Sequence, residues 1–311
     1  MVNPETWQKL RSAQSPNRDL LEAALQRKAR TDAPGAACAR ALVAGRGWRA
    51  VDIVCTSGPG DRPFQEQHGW ASISIVLSGA FVYRGPRGSS LMSAGAMLLG
   101  NAGDLFECSH PHGEGDRCLS FQYDPELFDQ FAHEAGASRF AFAEAWVPPL
   151  RPLAPLTARA ASAMETEDSL EEIALELAGA LIGAAGDGRR KTSAAAGGAA
   201  AIARVLRYAE SRAQEPLTLD AMARIAKLSR YHFLRTFKSV TGVTPHQWLL
   251  RARLREGARR LATTPDRITE IALDAGFEDL SNFIRSFRAE FGVSPRLYRA
   301  RTLRESRNSI R

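Results

Sequence analysis

The chain has 311 residues, with 41 Lys and Arg, 34 Asp and Glu, and four Cys. This length is sufficient for two domains with a core in each, and four dispersed cysteines do not form the disulfide framework of a small secreted protein. No apolar run approaches the length of a membrane span, and no signal segment opens the chain. We therefore expect a cytoplasmic protein with free thiols and no membrane partner.

Few structural signals lie in the first fifty residues, and we treat 1–50 as an N-terminal extension. Within it, residues 19–25 (DLLEAAL) fit a short helix, whereas the flanking sequence is basic. The sequence predicts no function for this segment.

Residues 51–155 contain the short, alternating apolar runs of an all-β domain. Turn signals separate the runs at the spacing expected of a small sandwich or barrel. The runs lie at residues 51–54, 71–77, 81–83, 96–99 and 118–123, with turn signals at 78–79, 85–88 and 113–115. A helix is predicted to follow, with Asp124 as its cap and Pro125 in its first turn.

One stretch of this segment, residues 108–118 (CSHPHGEGDRC), is rich in side chains that bind metals. On a strand, Cys108, His110 and His112 point to one face because side chains alternate. The length of the following turn decides whether Cys118 joins that face, and the sequence leaves this open. Thiolate and imidazole are ligands for zinc, nickel or copper, so a transition-metal site is one interpretation, with His68 as a further candidate.

Three other interpretations of this stretch stay open. The histidines can be hydrogen-bonded polar residues at a barrel mouth, with the cysteines as small core residues. Cys108 and Cys118 can have a redox role, which requires exposed thiols with a lowered pKa. Otherwise the barrel interior holds a small organic effector or none.

Two segments precede the C-terminal third of the chain. Residues 156–182 have a helical pattern, with an apolar stripe that includes Leu170, Ile173, Leu177 and Leu181. This stripe packs either on its own β-rich domain or against the same helix of a second subunit in a homodimer. Residues 183–198 are rich in Gly, Ala and Ser, which predicts a flexible linker.

A segment of thirteen residues occurs twice in the C-terminal third, at 233–245 (FLRTFKSVTGVTP) and 283–295 (FIRSFRAEFGVSP). In each copy two Phe lie four residues apart, which places both on one face of a helix, and an Arg lies on another face. Each copy ends at a Gly that can cap the helix and a Pro that cannot continue it. The segment therefore predicts two helices that bury Phe and expose Arg.

A shorter helical pattern and a turn precede each copy, at 218–226 and 268–275. A short helix, a tight turn and a longer helix with a basic face are typical of the helix-turn-helix, whose second helix enters the DNA major groove. Residues 245–262 predict one amphipathic helix that connects the two motifs. The charge agrees, because residues 201–311 contain 22 Lys and Arg against 11 Asp and Glu, a net charge of +11, whereas residues 1–200 have a net charge of −4.

These motifs make the region 199–305 resemble the DNA-binding domain of the AraC/XylS family of bacterial transcription regulators. The matching residues include Gly242-Val-Thr-Pro245, Gly276-Phe277, Phe283, Phe287 and Gly292-Val-Ser-Pro295. The resemblance implies an all-α double helix-turn-helix domain, and it implies promoter DNA and RNA polymerase as partners. Residues 51–155 resemble, more loosely, the cupin-like β-barrel sensor domain that often precedes this module. The expected fold class is thus α+β with two domains.

The resemblance also assigns residues to DNA contact. The base-reading positions fall on Tyr231, Leu234 and Arg235 in the first recognition helix and on Leu280, Ser281 and Arg285 in the second. Arg donates well to guanine, and the two Leu either touch a thymine methyl or pack in the core. Arg230, Lys238 and Arg288 are better suited to phosphate contacts, which position the protein without reading sequence.

Three classes of function follow from these observations. The first is a transcription regulator that responds to a small-molecule or metal effector, and it has no enzymatic activity. The second is a cupin-type metalloenzyme that also binds DNA, although no second metal-binding motif besides His68 supports it. The third is a DNA-repair protein with a reactive cysteine, which needs a cysteine-rich zinc module that the chain lacks.

Overall fold

The computed structural model describes residues 16–134, 141–166, 170–185 and 198–308. The chain divides into two compact units, the first formed by residues 1–146 and 178–189 and the second by residues 147–177 and 190–311. Strands dominate the first unit and helices the second, which confirms the predicted α+β layout. None of the helices in the described ranges is long and apolar enough to cross a membrane.

The first unit consists mainly of an antiparallel sheet preceded by helix α1 (Pro16–Thr31). Its strands are β1 (Ala37–Gly45), β2 (Trp48–Cys55), β3 (Phe64–Gln67), β4 (Ala71–Gly85), β5 (Gly88–Ser93), β6 (Met97–Gly100), β7 (Leu105–Ser109), β8 (Asp116–Tyr123) and β9 (Trp146–Val147). Helix α2 (Pro125–Glu134) follows β8, and Asp124 accepts a hydrogen bond from the Leu127 N–H as predicted for a cap.

The central strand β4 belongs to two parts of the sheet. Its first half pairs with β8 and β6, and its second half pairs with β5 and β7. A bulge between Val76 and Ser78 separates the halves, and Gly79 there has a φ of +77°. The predicted turn at residues 78–79 is therefore wrong, because the two apolar runs on either side form one bent strand.

The N-terminal region adds more structure than the sequence predicts. Helix α1 includes the expected helix at 19–25, and β1 pairs with β2 along nearly its whole length. Lys28 of α1 donates to the Asp61 carboxylate at 2.7 Å and to the Thr56 carbonyl at 2.9 Å. The sheet thus begins at Ala37, inside the region that we treated as an extension. Most residues of β1 (ACARALVAG) are small, so its sequence has little of the apolar alternation that predicts a strand.

The second unit contains the helices of the C-terminal third. They are α5 (Ala199–Ser211), α6 (Leu219–Ala226), α7 (Arg230–Thr241), α8 (Pro245–Thr263), α9 (Ile268–Asp274), α10 (Leu280–Phe291) and α11 (Pro295–Asn308). Helix α8 is the predicted connector, and it buries Trp248, Leu254, Ala258 and Leu261. A hydrophobic core, called the second core because it belongs to the second unit, forms where α8 meets α9, α10 and α11. It surrounds Phe283, Phe287, Phe291 and Tyr298.

Two helices fall in the predicted helical stretch, α3 (Ala154–Thr166) and α4 (Leu170–Ala185). Within the second unit, α3 packs on α8 and α10, and Ala158 of α3 belongs to the second core. Just before α3, the Arg151 side chain donates to the Ala289 carbonyl at 2.5 Å. The apolar stripe that the sequence indicates lies in α4, where Leu170, Ile173, Leu177 and Leu181 are buried, so the contacts of α3 do not decide between the two alternatives for that stripe. Most of the predicted linker, residues 186–197, lies outside the described residues.

Candidate nucleic-acid interface and ligand cavity

Two helices in the second unit, α7 and α10, have the start and stop signals of recognition helices. The Ser229 side chain caps α7 by accepting from the His232 N–H, and Asp279 caps α10 by accepting from the Asn282 N–H at 2.7 Å. Both helices end at a left-handed Gly, Gly242 and Gly292, with φ of 75° in each case. The repeated sequence therefore produces repeated local structure.

The same repetition sorts buried from exposed side chains. Phe233 and Phe237 of α7 are at most 1% exposed, and so are Phe283 and Phe287 of α10. Because these Phe side chains are buried, the opposite face of each helix is exposed to solvent, as the four-residue Phe spacing predicts. The outward residues among our DNA-contact candidates are Arg230, Tyr231, Leu234, Arg235, Lys238, Ser281, Arg285 and Arg288.

Leu280 differs from the other predicted contacts, because it is half-buried and packs against the second core. Ile284, which we did not predict, is 38% exposed, and so is Leu234. The repeat in the sequence indicates the same equivalence, since aligning the two copies places Ile284 opposite Leu234. The same alignment places Leu280 opposite Arg230. Ile284 is thus the better candidate for an apolar contact to a thymine methyl.

The basic residues of this surface are available to a negatively charged partner. Arg230 forms an ion pair with Asp220, but both side chains are at least half exposed, so the pair is worth little and exchanges readily. The Arg235 guanidinium lies 5.7 Å from the centre of the Tyr231 ring, which orients it through a cation–π contact. In the described ranges, Lys238, Arg285 and Arg288 make no ion pair.

A cavity of about 310 Å³ lies inside the first unit. Alternate residues of β2 and β8 line it, as the period of two along a strand requires. Thiols and a carboxylate gather on one part of the wall, and polar and aromatic groups such as Arg49, Trp70 and Gln122 lie elsewhere. Arg49 donates to Gln122 at 2.7 Å and lies 4.7 Å from the centre of the Trp70 ring.

His68 lines this cavity as a neutral residue. Its Nδ1 lies 3.2 Å from the Ser72 hydroxyl, its Nε2 lies 3.3 Å from the Tyr83 hydroxyl, and its ring stacks on Phe106. Burial lowers its pKa to about 4. Because both ring nitrogens already have hydrogen-bond partners, His68 is better suited to lining the cavity than to binding a metal ion.

The predicted cysteine and histidine face does not form. Strand β7 ends at Ser109, so the alternation that would align Cys108, His110 and His112 stops before the histidines, and His112 is partly exposed. Cys118 lies in β8, which pairs with β2 and β4 rather than with β7, so the turn length does not determine its direction.

The two thiols of that stretch are buried. Burial and the nearby Asp116 carboxylate raise the pKa of both Cys108 and Cys118 well above the usual range. Both are therefore protonated at neutral pH, which disfavours the redox role because a sensor thiol needs a lowered pKa and exposure.

The structure brings His110 together with two residues that we did not predict. Its Nε2 lies 2.5 Å from Asp116 Oδ1, and the Cys55 thiol is also close. Burial lowers the pKa of His110, but the hydrogen bond to Asp116, with a contribution from Cys55, outweighs burial and raises the pKa to about 9. Cys55 is distant in sequence, and no local pattern connects it to residues 110–116.

We expect acid to destabilise the first unit through His68. Its folded pKa of about 4 lies below the unfolded value of 6.5, so the unfolded chain binds the proton first. The stability that neutral His68 contributes is fully present above pH 6.5 and is lost as the pH drops toward 4. We expect this loss to be about 2 kcal/mol once partial exposure of the ring is allowed for. Urea unfolding across this range measures the loss. His68→Gln should remove it, and parallel pH curves for the two proteins would contradict this account.

The matches to known proteins described next lie in the helical unit. A protein-family profile described as a helix-turn-helix domain matches residues 222–301. The HTH-type transcriptional activator AarP of Providencia stuartii is 32% identical over 98 residues, which are 32% of this chain and 73% of AarP. The HTH-type transcriptional regulator MtrA of Neisseria gonorrhoeae is 37% identical over 86 residues, 28% of this chain and 29% of MtrA.

Among solved structures, the DNA-binding domain of the global transcriptional factor AdpA, in complex with a target DNA, is 34% identical. The match covers 32% of this chain and 89% of that domain, with a TM-score of 0.31. The region of similarity therefore spans less than a third of MtrA but most of AarP and of the AdpA domain.

Proposed function

The chain belongs to the AraC/XylS family of transcription regulators, and we propose that it binds promoter DNA sequence-specifically and regulates transcription in response to an effector held by the first unit. One observation carries this proposal: two helices in one unit have matched caps, buried Phe pairs and outward Arg residues. A basic helix that is merely exposed to solvent has no need for a second copy of these features. A protein that binds two successive segments of the DNA major groove needs two such helices.

Helices α7 and α10 each enter a major groove in this mechanism. The connector α8 has 19 residues, so it is about 28 Å long. Successive major-groove segments on one side of B-DNA are about 34 Å apart, so a rigid connector of this length suits two helices that lie one turn apart.

The outward residues divide into two roles. Arg235 and Arg285 reach base edges, where a guanidinium donates to guanine O6 and N7, and Tyr231, Leu234, Ser281 and Ile284 contact neighbouring bases. Arg230, Lys238 and Arg288 contact phosphates, which fix the register of the protein on the duplex. The Arg235 contact with Tyr231 supports this division, because it reduces the freedom that the guanidinium loses on binding.

The cavity of the first unit is the proposed site of the effector. Its volume suits a small molecule, and its wall combines apolar side chains with a few polar groups that can orient a ligand. The family resemblance adds RNA polymerase and a second copy of the chain as proposed partners, and we propose a cytoplasmic location because the protein acts on promoter DNA. Because the relatives reported above are transcriptional regulators, we propose that this protein is a regulator rather than an enzyme.

Salt dependence tests DNA binding. Because basic side chains displace counterions from phosphates, we expect the affinity of the full chain for a duplex containing its operator to fall about 100-fold or more between about 50 and 200 mM salt. Fluorescence anisotropy with a labelled duplex measures this slope. An affinity that does not change with salt, or no binding at the lowest salt, would exclude the proposed surface.

A further inference from the structure

Three buried side chains that can bind a metal converge at one part of the cavity wall. They are Cys55, His110 and Asp116, which are at most 5% exposed. One sulfur, one ring nitrogen and one carboxylate oxygen all lie within 4.8 Å of one another. Cys55 and Asp116 also line the cavity, so the group is next to an internal space rather than sealed in the core.

The backbone holds two of these residues in place. Cys55 and Asp116 lie directly opposite each other in the β2–β8 ladder, and Gly79 lies opposite Asp116 in the β4–β8 ladder. A Cβ at Gly79 would be 2.3 Å from the Gly115 carbonyl oxygen and 2.7 Å from the Asp116 Cα, so the strands approach very closely here. The site is thus fixed by strand pairing, and its side chains start from a defined position.

Helix α1 covers this part of the sheet. The Leu21 and Leu25 side chains lie 2.8 Å and 3.2 Å from where a Cβ of Gly115 would be, next to the Cys55 carbonyl. The Lys28 contacts with Asp61 and Thr56 tie the helix down. The group therefore lies in a place from which bulk water is largely excluded, where charged ligands and a cation interact strongly.

One polar atom of this group has no explanation in the protein alone. Within the part of the chain that the structure describes, His110 Nδ1 is buried without a hydrogen-bond partner. Leaving such an atom without a partner costs about 1 to 3 kcal/mol, and an ion bound at Nδ1 would remove that cost. The Asp116 carboxylate, in contrast, is held on both sides, since its Oδ2 accepts from the Cys118 thiol at 3.4 Å while its Oδ1 meets His110.

We propose that Cys55, His110 and Asp116 bind one divalent ion of the zinc class and leave a fourth coordination position that faces the cavity. A thiolate, an imidazole and a carboxylate suit zinc or cobalt, whereas calcium and magnesium require oxygen ligands. Ligand atoms on a tetrahedral zinc ion are about 3.5 Å apart, which is compatible with three ligand atoms that lie within 4.8 Å of one another. The ion would bind His110 through Nδ1 and would displace the proton of that nitrogen and the Cys55 thiol proton, both of which leave to solvent, while Nε2 keeps its hydrogen bond to Asp116 Oδ1.

The open position gives the ion a role in the proposed function. Three protein ligands and one exchangeable position are typical of zinc sites that bind a further molecule, whereas structural zinc sites have four protein ligands. A small anionic or thiol-containing effector in the cavity can then take the fourth position. The inference deepens the proposed effector-sensing role, but metal binding is measured without DNA, so either idea can fail by itself.

Cobalt titration of the metal-free full-length protein tests the site. We expect one equivalent of Co²⁺ to produce a thiolate-to-cobalt charge-transfer band and the visible bands of four-coordinate cobalt, and Zn²⁺ to abolish both. Cys55→Ser should remove the charge-transfer band and weaken cobalt binding at least tenfold. His110→Gln should weaken binding similarly while the thiolate remains, which provides a second test if one variant fails to fold.

The matched controls are Cys108→Ser, which changes another thiol on the same wall, and His112→Ala, which changes a histidine that the sequence predicted but that lies outside the proposed site. Both should keep the cobalt spectrum of the wild type. A wild-type protein that shows no thiolate-to-cobalt band would overturn the proposal. A band that persists in Cys55→Ser but disappears in Cys108→Ser would also overturn it, and it would move the site to the other thiol.

Discussion

Replacing Arg285 by Ala is expected to weaken binding to the cognate operator by about 1 to 3 kcal/mol, which is about 5- to 150-fold in affinity. The substitution removes an exposed guanidinium of α10 and, with it, the two hydrogen bonds that we assign to one guanine. Sequence preference should relax at that one base pair. The equivalent change in α7, Arg235→Ala, should relax preference at a different base pair, about one turn of DNA away.

Lys238→Ala is the matched control, because Lys238 lies on the same exposed face of α7 but is assigned to a phosphate. It should weaken binding to cognate and random duplexes by the same factor and reduce the salt slope by about one unit. Competition binding with a set of single-base operator variants measures both effects. If the Arg variants lose affinity equally for cognate and random DNA, the two arginines contact phosphates and the base-reading assignment is wrong.

A second large effect is expected at Gly276, in the turn between α9 and α10. This residue has a φ of +91°, and a Cβ would lie 2.7 Å from the Gln214 carbonyl oxygen and 2.8 Å from the Gln214 Cα. Gly276→Ala therefore combines an unfavourable backbone conformation with a clash against backbone that cannot move aside. We expect the helical unit to lose about 3 kcal/mol or more of its free energy of unfolding.

Gly292→Ala separates these two causes. Gly292 also has a positive φ, of +75°, but nothing lies within 4 Å of where its Cβ would be. This variant should cost only the conformational term, about 1 kcal/mol. Urea unfolding of both variants gives the comparison. Equal losses would mean that the close approach of Gly276 to Gln214 contributes nothing to stability.

The sequence predicted the helical unit well because its signals are local. Each recognition helix has its Phe pair, its cap and its terminal Gly within fourteen residues, so periodicity and capping chemistry suffice. The sequence left two alternatives open at Leu280, a thymine methyl contact or packing in the core, and the structure shows it half-buried against the second core. Aligning the two copies of the repeat places the exposed Ile284, and not Leu280, opposite Leu234.

The cavity could not be predicted in the same way, because strand pairing builds it. Cys55 and Asp116 are 61 positions apart in the sequence, and only the β2–β8 register makes them neighbours. The sequence drew attention to the local stretch 108–118, which contains His110, but it had no signal for the ladder that places Cys55 opposite Asp116. The bend in β4 was missed for a related reason, because Ser78-Gly79 is a turn signal in most contexts.

The most direct test of the central claim is hydroxyl-radical footprinting of the full chain on its operator, combined with interference by guanine methylation. If α7 and α10 both read DNA, two protected segments will lie on one face of the duplex, about one helical turn apart. Methylated guanines that block binding will fall within both segments, and Arg235→Ala and Arg285→Ala will each abolish interference in only one of them. A single protected segment, or interference that neither Arg variant changes, would contradict the double helix-turn-helix mechanism.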